Sequence, residues 1–210
     1  MHEYILDLLS KNAKLTIDEE LLSMRNEYRE SGVPTILTDG LNELILMASI
    51  KQPKKILEFG TAVGCSGIAL LKAAPDAELY TIENREKSFN AASENFKKFG
   101  LGERVHQYLG DALEIIDKVG DGFDFVFLDC NKSKYKILFE KIKSIMTSGG
   151  VLFADNVLFR GYVTGEVKAP HRFNTIRNNM RDFLSMISND KDFITTVSDI
   201  GDGISISYKK

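Results

Sequence analysis

Apolar positions along the chain change their period near residue 53, and that change sets the expected architecture. Before it, apolar residues recur at three- and four-residue spacing, the signature of helices with one buried face. Residues 2–11 form a short amphipathic pattern, and residues 18–31 form a longer one that opens on acids and stops at Gly32 before Pro34. Acids in a first turn and glycine with proline beyond the last are ordinary helix boundaries. Residues 38–51 place Leu41, Leu44, Ile45 and Ala48 on one helical face. After KQPKK the pattern becomes short apolar runs alternating with helical stretches. Strands are expected at ILEF (56–59), AELYTIE (77–83), RVHQYLG (104–110), FDFVFLD (123–129) and GVLFAD (150–155). Helices are expected near 66–74, 86–99, 111–118, 133–147 and, after a loop, 170–188.

Alternating strands and helices predict an α/β domain, a parallel sheet covered on both faces. The last segment, DFITTVSDIGDGISISYKK, instead holds two β runs around a Gly-Asp-Gly turn, so an antiparallel hairpin closes the chain. No repeat, low-complexity tract or linker interrupts the pattern. The expected organisation is therefore one domain over 1–210, with a helical extension (1–52) leading into the core (53–210).

Composition adds little to this, but it excludes several classes. The chain has 210 residues, 43% hydrophobic and 27% charged, which suits a globular fold with a sizeable core. No apolar run approaches the roughly 18 residues of a membrane span. The start, MHEYILDLLSKNAK, lacks the pattern of a secretory signal. Two cysteines, Cys65 and Cys130, stand without CxxC spacing, against a disulfide framework or zinc site. His2, His106 and His171 have no metal-site spacing either. A cytoplasmic protein is the expectation.

Charge is uneven. Between Asn131 and Arg181 there are ten Lys or Arg and three acids, a segment of +7 in a chain of net −3, which leaves −10 elsewhere. Such a run is either a solvated helix face or a surface that meets a polyanion.

Candidate chemistry gathers at strand ends. ILEFGTAVGCSGIALL reads as strand, glycine turn and helix, and Gly60, Gly64 and Gly67 let backbone amides approach a ligand. The spacing G-x3-G-x2-G departs from the dinucleotide fingerprint. A purely structural turn is the competing reading. Glu58 lies on the preceding strand, and Glu83 ends the next, where a carboxylate can accept from ribose hydroxyls. Asp111 and Ala112 follow the third strand, where an adenine ring fits; Asp111 is equally an N-cap candidate. Together these acids, with no phosphate to bind, favour S-adenosylmethionine, which carries an ammonium and a sulfonium, over NAD. The fourth strand ends at Asp129 and the fifth at Asp155 and Asn156. Two carboxylates and an amide on neighbouring strands suit a hard divalent cation such as Mg²⁺. Each taken alone is a strand-end cap or turn. Lys132, three residues beyond Asp129, is placed to take a proton from a substrate hydroxyl if its own pKa is depressed; otherwise it is a surface lysine. Tyr135 is expected to pack or to brace the loop.

In this order the motifs resemble the cation-dependent class I O-methyltransferases, the group of catechol and caffeoyl-coenzyme A methyltransferases. The matching stretches are ILEFGTAVGCSGIAL, YTIE, GDALE, FDFVFLDCNKSKY, GGVLFADNVLFRGYV and GDGISISYKK, within residues 33–210. The resemblance implies a Rossmann-like, seven-stranded, mostly parallel sheet, a homodimer, S-adenosylmethionine and Mg²⁺ or a similar ion. It implies metal ligands at Asp129, Asp155 and Asn156, and a catalytic Lys132. Cofactor contacts are implied at Ile36, Glu58, Gly60, Ser66, Glu83, Asp111, Ala112 and Asp129, with Ile36 resting on the VPTIL segment. KQPKKILEFGTAVG, DNVLFRGYV with the basic helix after it, and the GDG-I-S ending are most similar to the bacterial tRNA 5-hydroxyuridine methyltransferases. That likeness implies methylation at the tRNA wobble position; on that reading the +7 segment meets flanking phosphates, with Arg160, Lys168, Arg172, Arg177 and Arg181 as the candidates. Cys130-Asn131 departs from the family's usual loop, which leaves the ligand set intact. The alternative acceptor is a small catechol-like or coenzyme A-linked phenol.

Overall fold

The computed structural model describes residues 19–210 together with Tyr4, Asp7 and Leu8. The helix expected over 2–11 therefore lies outside the described residues except at those three positions, which are helical. From Glu19 onward the described residues form α1 (Glu19–Glu30) and α2 (Thr38–Lys51) before the first strand. Then follow β1 (Lys55–Phe59), α3 (Cys65–Ala73), β2 (Glu78–Glu83), α4 (Glu86–Lys98), β3 (Val105–Leu109), α5 (Ala112–Ile115), β4 (Phe123–Leu128), α6 (Tyr135–Ile145) and β5 (Met146–Asp155). After a long loop come α7 (Asn174–Asn189) and the hairpin strands β6 (Phe193–Ser198) and β7 (Ile204–Lys209).

All seven strands form one sheet in the order β3-β2-β1-β4-β5-β7-β6. Strands β1 to β5 pair in parallel, and β7 runs antiparallel to both β5 and β6. This is the mostly parallel, Rossmann-like sheet with an antiparallel close that the alternating pattern implies. Strand order reverses between β1 and β4, and in open α/β sheets that switch point opens a crevice at the carboxyl ends of the strands.

Side-chain alternation divides the interior into two layers. Ile56, Phe125, Phe127, Val151 and Phe153 face Leu21, Met24, Leu41, Leu44, Ala48 and Ile68 from α1, α2 and α3. Leu57, Phe59, Val126, Leu128, Leu152 and Ala154 face the other way, toward Leu138, Phe139 and Ile142 of α6 and Met180, Phe183 and Ile187 of α7. Each fully buried Phe or Leu contributes roughly 1.5–3 kcal/mol of apolar transfer. Helices α1 and α2 thus supply half of one layer rather than hanging beside it.

One link from α1 reaches the crevice. Arg25 is buried and donates from Nε and Nη2 to the Ile36 carbonyl at 3.2 and 2.6 Å. It fixes the segment between α1 and α2, which forms one wall of the cavity described next.

Candidate active site

A cavity of about 960 Å³ opens at the switch point. Its wall includes Thr35, Ile36, Gly60, Glu83, Ala112, Asp129, Lys132, Asp155, Asn156 and Arg160. These ten come from six segments spread between residues 35 and 160, and the tertiary fold brings them together.

The glycine turn explains the first side of the cavity. Gly60 has φ +98°, and a Cβ there would lie 2.1 Å from the Asp129 carbonyl oxygen. Only a residue without a side chain lets the ends of β1 and β4 close up, with the Asp129 amide donating to Phe59 O at 3.0 Å. Beneath the turn, Glu58 is fully buried and accepts from Ser66 Oγ and Thr81 Oγ1, each at 2.6 Å. Thr81 is its register partner on β2, so both side chains leave the sheet on the same face. Burial pushes the Glu58 carboxyl up to about 7, against the two hydroxyl bonds, with Asp129 and Glu83 adding to the rise. Glu58 and Ser66 are not on the cavity wall. They support the turn from below.

Glu83 is nearly buried, and its Oε2 accepts from the Ala62 amide at 2.8 Å. Its Oε1 accepts from the Asn84 and Arg85 amides at 3.0 and 2.9 Å. A carboxylate has about four lone-pair sites, so acceptor capacity remains for a hydroxyl in the cavity. Thr35 Oγ1 is buried without a hydrogen-bond partner on the same wall. An orphaned hydroxyl and an under-used carboxylate beside a glycine cradle fit a ligand with ribose-like and amino-acid-like ends. Asp111 is the N-cap of α5, accepting from the Leu113 amide at 2.9 Å. It also pairs with Lys134, and this pairing and the amide hold its carboxyl below the usual range. Ala112 and Lys134 line the cavity while Asp111 stands at its edge.

The second side is acidic. Lys132 Nζ donates to Asp129 Oδ1 at 2.9 Å and to Asn156 Oδ1 at 2.7 Å, so those two oxygens converge on one positive charge. Asp155 is nearly buried and accepts from the Asn156 amide at 2.6 Å. Burial and the neighbouring Asp129 push its carboxyl up to about 7. Asp155, whose ionisation burial and Asp129 oppose, together with Asp129 and the Asn156 amide oxygen at the ends of β4 and β5, forms a donor set that a hard cation would relieve. Among the described residues no group of three or more His, Cys, Asp or Glu could hold a metal ion, so an ion here would draw on two acids and an amide. Tyr135 braces this side: its hydroxyl donates to Leu128 O at 2.9 Å and Asp155 O at 3.0 Å, tying the ends of β4 and β5.

The comparisons with known proteins agree with this geometry. The profile of the O-methyltransferase family matches residues 2–210. The chain belongs to the O-methyltransferase family. A catechol O-methyltransferase from Niastella koreensis is 33% identical over 186 residues, 82% of each chain. A caffeoyl-CoA O-methyltransferase from Populus kitakamiensis is 25% identical, covering 78% of this chain and 73% of that one. Among solved structures, the O-methyltransferase TomG from Streptomyces achromogenes, determined in complex with SAM, superposes with a TM-score of 0.85 at 27% identity over the whole of both chains. The protein is thus an S-adenosylmethionine-dependent O-methyltransferase.

Within this methyltransferase, the +7 segment resolves into two halves. Lys132, Lys134, Lys136, Lys141 and Lys143 each form an ion pair, with Asp129, Asp111, Asp182, Asp117 and the pair Asp190–Asp192 respectively. That half is compensated. Arg160, Lys168, Arg172, Arg177 and Arg181 form no salt bridge among the described residues. Only Arg160 of these lines the cavity. Arg181 Nε donates to Val163 O at 2.8 Å and so holds the loop before α7, and Arg177 bonds to Asn178.

Sequence reasoning missed Asp202. It sits in the Gly201–Gly203 turn, lines the cavity, and its carboxylate accepts from the Arg160 amide while its carbonyl accepts from the Leu158 amide at 3.0 Å. An acid between two glycines was the available signal, read only as a hairpin turn. Both thiols, Cys65 and Cys130, are pushed up to about 12 by burial, so neither is a nucleophile at neutral pH.

Proposed function

We propose that this enzyme methylates one hydroxyl of a small aromatic ring bearing a second oxygen beside it, a catechol or a coenzyme A-linked catechol. The observation that carries this reading is the convergence of Asp129, Lys132, Asp155 and Asn156 in the cavity that also holds the glycine turn and Glu83. Asp129, Asp155 and Asn156 would hold Mg²⁺ or a similar ion. When bound, such an ion would supply positive charge that lowers the pKa of the substrate hydroxyl.

The chain's own residues do the rest. Gly60, Glu83 and Ala112, on the cavity wall, would hold the cofactor beside the acidic side. Lys132 now donates to two oxygens as an ammonium, and to act as a base it must first release a proton to solvent and so gain a lone pair. It then takes the hydroxyl proton as the substrate oxygen bonds to the methyl carbon and the sulfonium leaves as a thioether. Positioning of oxygen and methyl supplies most of the acceleration.

A second reading keeps the reaction and changes the acceptor to 5-hydroxyuridine at the tRNA wobble position, whose 5-hydroxyl lies beside the 4-carbonyl. The five cations around α7 that form no salt bridge among the described residues favour it. The names of the curated relatives favour the small phenol. Transfer of labelled methyl from S-adenosylmethionine to catechol, caffeoyl-coenzyme A and tRNA containing 5-hydroxyuridine, with Mg²⁺ or chelator, separates the readings. Label in the phenols that disappears with chelator is the expected result. Label in tRNA alone moves the acceptor to RNA, and transfer that ignores chelator removes the ion from the site.

A further inference from the structure

Behind Arg160, which lines the cavity, stands a feature that methyl transfer to a bare catechol does not use. Phe159, Tyr162 and Phe173 form a closed aromatic cluster, with centroid separations of 5.7 Å (Phe159–Tyr162), 5.4 Å (Phe159–Phe173) and 5.7 Å (Tyr162–Phe173). Two guanidinium groups rest on the same ring of it: Arg172 at 4.7 Å from the Phe173 centroid and Arg160 at 5.9 Å. Neither forms an ion pair with a carboxylate among the described residues. Asp202, the acid on this part of the wall, accepts from the Arg160 backbone amide instead.

That backbone bond has a consequence. Arg160 has φ +60°, a left-handed conformation that L-residues rarely adopt, and the Asp202 bond holds it there at the cavity wall. Stacking on Phe173 orients a guanidinium without neutralising it. Two like charges gathered on one ring, neither in a salt bridge among the described residues, leave a fork of donors whose natural partner is a carboxylate or phosphate.

We propose that Arg160, backed by Arg172, binds an anionic substituent of the acceptor, making this an enzyme for acidic ortho-oxygenated rings. The proposal rests on the acceptor chemistry above and narrows it. The shared chemistry is an oxyanion, a carboxylate on a small phenol or a phosphate on a nucleotide. A charge-assisted bond of this kind is worth about a ten-fold preference or more.

Binding, separated from turnover, tests it. Equilibrium dialysis with S-adenosylhomocysteine and Mg²⁺ compares 3,4-dihydroxybenzoate with catechol, and 5-hydroxyuridine 5′-monophosphate with its nucleoside. At least one acid should bind about ten-fold tighter than its neutral parent, and the pair that shows it identifies carboxylate or phosphate. Arg160→Gln should bring that ratio close to one, Arg160→Lys should restore part of it, and Arg172→Gln should reduce it. Equal binding of acid and parent in the wild type, or a preference that survives Arg160→Gln in a protein of unchanged thermal midpoint, overturns the proposal. Methylation of catechol without any preference for acids defeats this site and leaves the acceptor reading standing. An acid held tightly but never methylated does the reverse.

Discussion

Glu58 is a carboxyl group with no route to water, and its protonation state links a single side chain to the stability of the molecule. Its folded value of about 7 lies above the ordinary 4.5, so the native state holds the proton more tightly than the unfolded chain does. The stabilisation is complete below about pH 4.5 and is lost as pH rises to about 7, a change on the order of 3 kcal/mol. Glu58→Gln should therefore flatten the decline of the urea midpoint between pH 5 and 8 in the cofactor-free protein; an unchanged slope would show that the group is already ionised. Lys132 acts at the other end of the cavity. Lys132→Ala should lower kcat at least a hundred-fold, the usual scale for loss of a general base, while cofactor affinity changes little. Full turnover at neutral pH would remove it from the mechanism. The types and order of these residues were visible in the sequence as strand-end acids and a following lysine. Their partners were not, since Thr81 meets Glu58 only because two parallel strands register that way.

At the scale of elements, the site depends on how closely strand ends approach. The Tyr135 hydroxyl is the tie between β4 and β5, and Tyr135→Phe leaves two buried carbonyls without that donor. A loss of about 1–3 kcal/mol is expected in chemical denaturation, larger than the near-zero change of a tyrosine that merely packs. Gly60 governs β1 and β4. Gly60→Ala places a Cβ against the Asp129 carbonyl at a φ that alanine disfavours, so the turn must open. Cofactor affinity should fall about ten-fold or more, read by equilibrium dialysis with S-adenosylhomocysteine; retained affinity would mean the turn is not the cofactor's cradle. Glycine spacing announced a turn here. It could not say that the obstacle to a side chain is the end of a strand nearly seventy residues away.

Across the whole molecule, the closing hairpin reaches back to the cavity. Val157 N donates to Gly203 O at 2.9 Å, and Gly201 N donates to Asp39 Oδ2 at 3.1 Å, so one turn joins the loop after β5 to the start of α2. Gly203 has φ +87°, and a Cβ there would lie 2.2 Å from Leu158 Cγ and 2.7 Å from its amide nitrogen. Gly203→Ala should cost about 2–4 kcal/mol through strain and overpacking. It should also lower turnover more than cofactor affinity, since the displaced loop carries Asn156 and Arg160; parallel loss of both would place the damage in global unfolding. The sequence by itself determined the succession of helices and strands, the closing hairpin and the positions of the strand-end acids, because periodicity, glycine turns and caps act over a few neighbouring residues. Tertiary structure decided which of those residues meet. Lys134 finds Asp111, Lys141 finds Asp117 and Lys143 finds Asp190 across the fold, so half of the basic segment is neutralised while Arg160 and Arg172 are left facing an aromatic ring. Coulomb pairing and close packing depend on distance in space, and linear order does not encode that distance until the sheet has formed.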